Sequence, residues 1–179
     1  MRMTVADHRE IAEQIRAFGG NLRRARGRAG LTQAQLAAAT PLDRAAISRL
    51  ECGERAPDLS TLLALCAALD VEPTGLLRGI GPKTSPRHVR RHDETSANDP
   101  AVLFGANLRW ARNRAGLSQE RLAIDAKVDR AAISVYENAR RAPNLRTVLK
   151  LAHTLEVRPS VLLGGIAPTD GERSAGRRR

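Results

Sequence analysis

The stretch GLTQAQLAAATPLDRAAISRLECGERAP, residues 30–57, recurs as GLSQERLAIDAKVDRAAISVYENARRAP at residues 116–143. The six residues DRAAIS are identical in the two stretches. Shifting the chain by 86 positions extends the match without a gap, so that residues 18–80 align with residues 104–166 and about 35 of 63 positions are identical. A match of this length indicates that a whole folding unit has been duplicated.

The composition favours two small helical domains. A chain of 179 residues is long enough for one medium domain or two small ones. Hydrophobic residues make up 42% of it but aromatic residues only 2%, so the core must be built from Leu, Ala, Ile and Val. That mixture suits helices better than β-sandwiches. We therefore predict an all-α fold.

The charge of the chain indicates a polyanionic partner. Thirty basic residues against 19 acidic ones give a net charge of +11, which is typical of proteins that bind nucleic acid and less often of those that bind acidic membranes. The second repeat has eleven basic and five acidic residues and the first has eight and six, so the second should bind nonspecific DNA more tightly. No apolar run approaches the length of a membrane span, and the N-terminus lacks the apolar core of a signal peptide. We expect a cytoplasmic protein with no membrane partner.

Each repeat should contain five helices. The first carries apolar residues at helical spacing and stops at Gly30, and in the second repeat it begins with Asp99 as N-cap and Pro100. Thr32 and Gln35 could form a capping box at the second helix. Aspartates at positions 43 and 129 should cap the third helix of each repeat.

The domain boundaries follow from the repeat. We expect a first domain at 1–80, with an extra helical segment at its N-terminus, and a second at 100–167. Residues 81–99 are polar and rich in Pro, Ser and charge, which indicates a flexible basic linker, and residues 168–179 form a basic, disordered tail. Ile11 and Ile15 continue the apolar stripe of the first helix, and this segment could support a homodimer.

Two short helices joined by a tight turn, with a strongly patterned third helix, suggest a helix-turn-helix. The combination of Gly-Leu-Thr/Ser-Gln, Leu-Ala, Ile-Ser, Glu and Arg-x-Pro, present twice, resembles the Xre-type family of phage repressors and Cro proteins. The resemblance implies two tandem five-helix lambda-repressor-like domains that bind DNA. The chain departs from the family at Pro41 and Lys127, where the turn usually has Gly, and at Ala139, where Gly usually follows the third helix. Because Pro cannot adopt positive φ, the first turn must take another geometry.

The third helix of each repeat should read DNA bases. Ile47 and Leu50 face inward, which leaves a small, basic outer face that can enter a major groove. A solvated basic helix face is the alternative. The predicted base-reading residues are Arg44, Ala45, Ser48 and Arg49 in the first repeat and Arg130, Ala131, Ser134 and Val135 in the second.

Phosphate contacts should come from the start of the second helix and from the loop after the third. Gln33 and Gln119 stand beside exposed backbone N–H groups, where a phosphate oxygen can bind, although simple helix capping is the alternative. The predicted phosphate-binding residues are Thr32, Gln33, Arg55, Ser118, Gln119, Arg140 and Arg141. The resemblance also implies structural ion pairs between the first and third helices, formed by Arg26 with Glu51 and by Arg112 with Glu137.

These observations predict a sequence-specific regulator that binds double-stranded DNA, and a repressor rather than an activator. Because the reading helices share DRAA but differ at Arg49 and Val135, the operator should be an imperfect repeat, in either inverted or direct arrangement. A protein-binding module, antitoxin-like or an adaptor, is the alternative. We expect no enzyme, cofactor or metal: no catalytic motif is present, and His88 and His92 have no third ligand.

Overall fold

The structure, a computed structural model, describes residues 3–81 and 99–167, and every regular element within them is a helix. The helices of the first half are α1 (Val5–Arg28), α2 (Gln33–Ala38), α3 (Arg44–Glu51), α4 (Leu59–Leu69) and α5 (Pro73–Leu76). Those of the second half are α6 (Pro100–Arg114), α7 (Gln119–Ala126), α8 (Arg130–Glu137), α9 (Leu145–Thr154) and α10 (Pro159–Leu162). The predicted all-α fold with five helices in each repeat is confirmed. The predicted linker and tail lie outside the described residues, except for Gly81 and Asp99.

The helices begin where their capping residues predict. Thr32 and Gln35 form the expected capping box, whereas Ser118 accepts a hydrogen bond from the Arg121 amide without a reciprocal bond. The side chain of Asp43 caps α3 and that of Asp129 caps α8. The first helix of the second half starts with Asp99 as N-cap and Pro at the first helical position.

The turn inside the helix-turn-helix differs between the two halves. In the second half α7 runs to Ala126, and Lys127 ends it in the left-handed conformation with φ of 47°. In the first half, where Pro41 occupies the matching position, α2 stops two residues earlier at Ala38, and its C-cap Ala39 has φ of −89°. The different geometry expected from a proline in this turn is therefore present.

The second residue after α3 and the second residue after α8 are both left-handed. Gly53 has φ of 72° and Ala139 has φ of 57°. A side chain costs about 1 kcal/mol in this conformation, and the second half carries that cost. Gly53 has a further reason to be glycine, because an added Cβ would lie 2.6 Å from the Cα of Arg16.

The first and third helices of each half cross at very short range. A Cβ added to Gly19 would lie 2.5 Å from the carbonyl oxygens of Leu50 and Glu51, and Gly105 crosses α8 in the same way. Next to these glycines, Phe18 and Phe104 are completely buried. The buried apolar residues form one continuous cluster through both halves of the chain.

The two halves face each other about an approximate two-fold axis. Asp58 forms an antiparallel β-bridge with Asn144, which is its own counterpart 86 residues later, and the Leu145 amide donates to the Pro57 carbonyl at 2.7 Å. Antiparallel pairing of a residue with its counterpart requires the two copies to run in opposite directions. A two-fold rotation gives this arrangement, and a simple translation of one copy onto the other does not.

Helix α1 is longer than its counterpart and reaches the second half. It has 24 residues, whereas α6 has 15. The extension contacts α9, and Ile11 and Ile15 are 1% and 0% exposed. The apolar stripe that we considered for homodimerisation is therefore covered within the chain. No helix of the described residues has the length and apolar character needed to cross a bilayer.

Candidate nucleic-acid interface

Helix α3 separates a buried face from an exposed one. Ile47 and Leu50 are buried in the core of the first half, as their spacing predicts. The four predicted base-reading residues lie on the opposite side: Arg44, Ala45 and Arg49 are exposed and Ser48 is half-buried. Two guanidinium groups and two small side chains on one helix face can enter a major groove and donate to guanine.

The corresponding surface of α8 is less basic. Arg130 and Ala131 are exposed, whereas Ser134 and Val135 are half-buried. Tyr136 takes the place of Leu50, and its ring packs edge-on against Phe104 at 6.3 Å between centroids. Since Val135 replaces an exposed arginine, the two reading helices present the same first turn and a different second turn.

A buried network links the first three helices of the first half. The Arg26 Nε donates to Glu51 at 2.6 Å, and the Gln33 side-chain amide donates to the other carboxylate oxygen at 2.9 Å. A further guanidinium nitrogen of Arg26 donates to the Leu31 carbonyl at 2.7 Å, just before α2. The carboxylate thus ties α1 and α2 to the end of the reading helix.

The second half repeats this network. The Arg112 Nε donates to Glu137 at 2.6 Å and the Gln119 amide donates to it at 2.8 Å. Arg109 lies 3.6 Å from the same carboxylate. Both implied ion pairs are present, and both glutamines contact a carboxylate, which sequence reasoning missed. The sequence signal that could have revealed these glutamine contacts is that Arg, Gln and Glu are each identical at the network positions of the two repeats.

The network holds both glutamates in the ionised form. Burial by itself would raise the pKa of Glu51 and that of Glu137. The hydrogen bonds from the arginine and the glutamine outweigh burial, so that both pKa values lie below the ordinary range for glutamate. An ionised carboxylate at this place keeps a negative charge behind the reading helix, balanced by the guanidinium group.

The predicted phosphate-binding residues fall into two groups. The hydroxyls of Thr32 and Ser118 cap α2 and α7, and the two glutamine side chains donate inward to the glutamates. A phosphate at these positions would therefore be bound by backbone N–H groups at the start of each helix, and not by the Thr, Ser or Gln side chains. Of the loop residues, Arg55, Arg140 and Arg141 are all exposed.

Arg55 and Arg141 meet where the two halves join. They line opposite sides of an open groove of about 530 Å³ between the halves, together with Asp58 and Asn144. Because these are two pairs of counterparts, the groove lies on the approximate two-fold axis. The two arginines therefore place positive charge where the two halves meet.

One asparagine in each half links the first helix to the end of the last short helix. Asn21 donates from its amide to the carbonyls of Leu76 and Arg78 after α5, and Asn107 donates to the corresponding carbonyls of Leu162 and Gly164. These bonds fix the last short helix to the first. Identity at both positions was the only sequence signal for them.

Among residues 3–81 and 99–167, one group of potential metal ligands comes together. Ligand atoms of Asp7, Glu10 and His153 lie within 4.8 Å of one another. The His153 Nε2 is 3.3 Å from Asp7 and its Nδ1 is 3.9 Å from Glu10. Each ring nitrogen thus faces a carboxylate. His88 and His92 lie outside the described residues.

Comparisons with protein families match each half separately. Residues 17–78 match a family described as "Helix-turn-helix domain", and residues 108–162 match one described as "Helix-turn-helix". Neither description names a catalytic activity. Comparison with curated protein sequences gave no significant match.

Two solved structures are similar to part of the chain. One is the restriction-modification controller protein C.AhdI from Aeromonas hydrophila, with 38% identity over 36% of this chain and 94% of that one, and a TM-score of 0.36. The other is the hypothetical transcription factor NHTF from Neisseria, with 30% identity over 42% of this chain and 88% of that one, and a TM-score of 0.37.

Proposed function

Because the chain belongs to the Xre-type helix-turn-helix family in both of its halves, we propose that it is a sequence-specific cytoplasmic repressor that binds double-stranded DNA with two reading helices in one chain. The reading helices are α3 and α8. Their exposed faces carry the predicted base-reading residues, and the net charge of +11 supports a polyanionic ligand.

The observation that carries this proposal is the antiparallel pairing of Asp58 with Asn144. It relates the two halves by an approximate two-fold rotation, so the reading helices approach DNA in opposite directions. B-DNA has two-fold axes of its own, and a two-fold protein matches an inverted repeat rather than a direct one. We therefore propose an inverted operator, a choice that the sequence left open.

The half-sites of this operator should be related but unequal. Arg44 and Ala45 recur as Arg130 and Ala131 at the start of the second reading helix, so the base pairs under the first turns should be the same. Arg49 can donate two hydrogen bonds to a guanine, whereas Val135 can only make apolar contacts such as one with a thymine methyl. The base pair under this position should therefore differ between the half-sites.

The groove lined by Arg55 and Arg141 supplies the contacts with phosphates and with the spacer in this arrangement. Arg55 and Arg141 flank the approximate axis and Arg140 directly precedes Arg141, so we expect their charges to face the middle of the operator. Charges at this place stabilise the complex through the DNA backbone and add no base preference of their own. A protein bound across two half-sites can repress by excluding polymerase from the same DNA.

The proposal is tested by selecting bound sequences from random DNA with the full chain, followed by footprinting of the selected site. We expect an imperfect inverted repeat with half-site centres about one helical turn apart, roughly 34 Å, occupied by one chain. Binding to both half-sites should exceed binding to a single one by ~10²-fold, since the second contact is intramolecular.

Other results would contradict the proposal. Enrichment of direct repeats, or a footprint over one half-site with full affinity, would exclude the two-headed inverted arrangement. Equal affinity for all DNA sequences, together with co-purification of a fixed protein partner, would instead favour a protein-binding module.

A further inference from the structure

The N-terminal extension of α1 is an asymmetric feature of a nearly symmetric molecule. The domain fold does not require it, because the second half completes the same five helices with a first helix that begins at Pro100, the counterpart of Gln14. About nine further residues at the start of α1 therefore serve something other than the fold of the first half.

The extension is packed onto the second half by buried contacts. Met3 is 3% exposed, and its amide donates to the Asp125 carbonyl in α7 at 2.9 Å. Ile11 is 1% exposed, and the helix around it contacts α9. Burial of these two large apolar side chains stabilises the contact and offsets the entropy cost of ordering the segment.

A polar contact adds to the apolar ones. His153 of α9 lies between Asp7 and Glu10, at 3.3 and 3.9 Å. The first half has Ala67 at the position of His153, so this histidine is not part of the common fold. The orientation of Asp7 is fixed by the capping box with Thr4, in which its other oxygen accepts from the Thr4 amide.

The extension contacts the helix-turn-helix of the second half itself. Asp125 lies two residues before Lys127, the left-handed residue of the turn that leads to the reading helix α8. The same α1 continues through Phe18 and Leu22 into the core of the first half, where it pairs with the end of α3 through Arg26. A continuous helix of 24 residues, about 36 Å long, thus connects the two helix-turn-helix units.

The contacts of the α1 extension and the bridge at the axis restrain the relative rotation of the two halves to different extents. The bridge between Asp58 and Asn144 lies on the approximate two-fold axis, so it holds the halves together but resists their relative rotation weakly. Helix α1 contacts α9 rather than its own counterpart α6, so the extension acts away from the axis. An off-axis contact opposes rotation directly.

We propose that residues 3–11 position the two reading helices and thereby determine which half-site spacing the protein accepts. This inference rests on the proposed two-headed function. A change of the spacer by 2 base pairs rotates one half-site by about 70° around the DNA axis and moves it by about 7 Å, since a turn takes 10–10.5 base pairs and 34–36 Å. A rigid pair of heads cannot follow that displacement, whereas a pair that has lost the off-axis contacts of residues 3–11 is restrained less and can follow it more readily.

The test measures the DNA affinity of the full chain and of two variants. The DNA sites are the selected inverted repeat, inverted repeats whose spacer differs from it by 2 base pairs, and a single half-site. The first variant lacks residues 1–12, so that its first helix starts where that of the second half starts. The second combines Asp7→Asn with Glu10→Gln, which removes both charges that face His153. Arg9→Gln is the matched control, since Arg9 lies on the same segment with 85% of its side chain exposed, and among the described residues its salt bridge is with Glu13 of the same helix.

The wild-type chain and the Arg9→Gln control should prefer the selected spacing by ~10-fold or more, which is part of the gain expected from intramolecular binding. The truncated chain should prefer it by about threefold or less, and the double variant should fall between them. Affinity for the single half-site should stay within about twofold, because neither variant alters a reading helix.

Two outcomes separate this inference from the proposed function. If the wild-type chain binds the paired site no better than the single one, the two-headed function is wrong. If the wild-type chain is selective for spacing and both variants keep the same selectivity, the positioning role of residues 3–11 is wrong and the function stands. If the truncated chain does not fold, the variant that combines Asp7→Asn with Glu10→Gln provides the test of the positioning role.

Discussion

At the scale of single residues, each reading helix depends on a few side chains with separate tasks. In α3, Ile47 and Leu50 anchor the helix in the core, and Glu51 fixes its end to α1 and α2. Arg44 and Arg49 are left free to face solvent. Because the buried and the exposed positions of α3 are occupied by different residues, substitutions can address the anchoring and the proposed base reading one at a time.

Arg49→Ala should weaken binding to the selected operator by about 1–3 kcal/mol and relax preference at one base pair, because a bidentate contact with guanine is lost. Val135→Ala at the matching position should cost less, since only an apolar contact is removed. Competition between operator variants measures both effects. Unchanged base preference in the Arg49→Ala protein would mean that α3 is oriented differently on DNA.

Glu51→Gln should lower the free energy of unfolding by about 3 kcal/mol, because it leaves the largely buried Arg26 guanidinium without its counter-charge. Denaturant unfolding measures this change. Glu54→Gln is the control, since Glu54 is exposed and follows the same helix. An equal, small effect in both variants would show that the ion pair contributes little.

The same glutamates predict how stability depends on pH. Their pKa values are lower in the folded protein than in the unfolded chain, where a glutamate titrates near pH ~4.3. Their contribution is therefore complete above that pH and is lost as the pH falls through the lower, folded-state pKa. Denaturant unfolding between pH 7 and 3 should give a shallower acid loss for Glu51→Gln than for the wild-type chain. Parallel curves would contradict this assignment.

At the scale of elements, the orientation of the reading helix is set by a close helix crossing. Gly19 in α1 lies against the carbonyls at the end of α3, and Gly105 in α6 lies against α8. The crossing leaves no room for a Cβ, so the backbones themselves determine how far the reading helix projects. A larger residue would push α3 away from α1 and strain the bond between Arg26 and Glu51.

Gly19→Ala should therefore destabilise the protein by roughly 1–3 kcal/mol, in the range of overpacked cores, and reduce operator affinity as well. Gly20→Ala, one residue later, is a matched control. Its added Cβ would meet only the end of the Arg24 side chain, at 3.7 Å, and the second half already has Ala106 at this position. It should be neutral or stabilise by up to about 1 kcal/mol, because alanine favours a helix interior. Thermal unfolding of the two variants decides between them, and equal behaviour would contradict the close crossing.

At the scale of the whole molecule, the two repeats are one folded body rather than two independent heads. Their buried apolar residues form a continuous cluster, and the bridge on the approximate axis and the extension of α1 join them further. The chain thus contains within itself the two-fold arrangement that a dimer obtains from two molecules.

This continuity predicts a single cooperative unfolding transition of the full chain, with the same midpoint by circular dichroism and by fluorescence of Trp110 in the second half. The midpoint should not depend on protein concentration, because the association of the halves is intramolecular. Two separated transitions would show that the contacts between the halves are too weak to couple them.

Much of the fold and part of the interface could be predicted from the sequence. Helix starts followed from Thr32, Asp43 and Asp129, because a capping side chain bonds to amides only two or three residues away. The buried and exposed faces of α3 followed from the periodicity of Ile47 and Leu50. That the exposed face reads bases remains a prediction. The hydrogen bonds of Gln33 to Glu51 and of Asn21 to the carbonyls of Leu76 and Arg78 were not predicted, because these partners lie 18 and 55–57 residues away in the chain and no local pattern encodes such a bond.

The amino-acid sequence alone determined that this protein consists of two copies of one helical unit, that the third helix of each copy starts with the same Asp-Arg-Ala-Ala, and that the copies differ at Arg49 and Val135. These properties depend on composition, short-range periodicity and the identity of aligned residues. Only the tertiary structure decided that the copies face each other in opposite directions and that α1 extends from one to the other. The repeat is the same whether its copies are related by rotation or by translation, and the difference lies in long-range contacts such as those of Asp58 with Asn144 and of Met3 with Asp125.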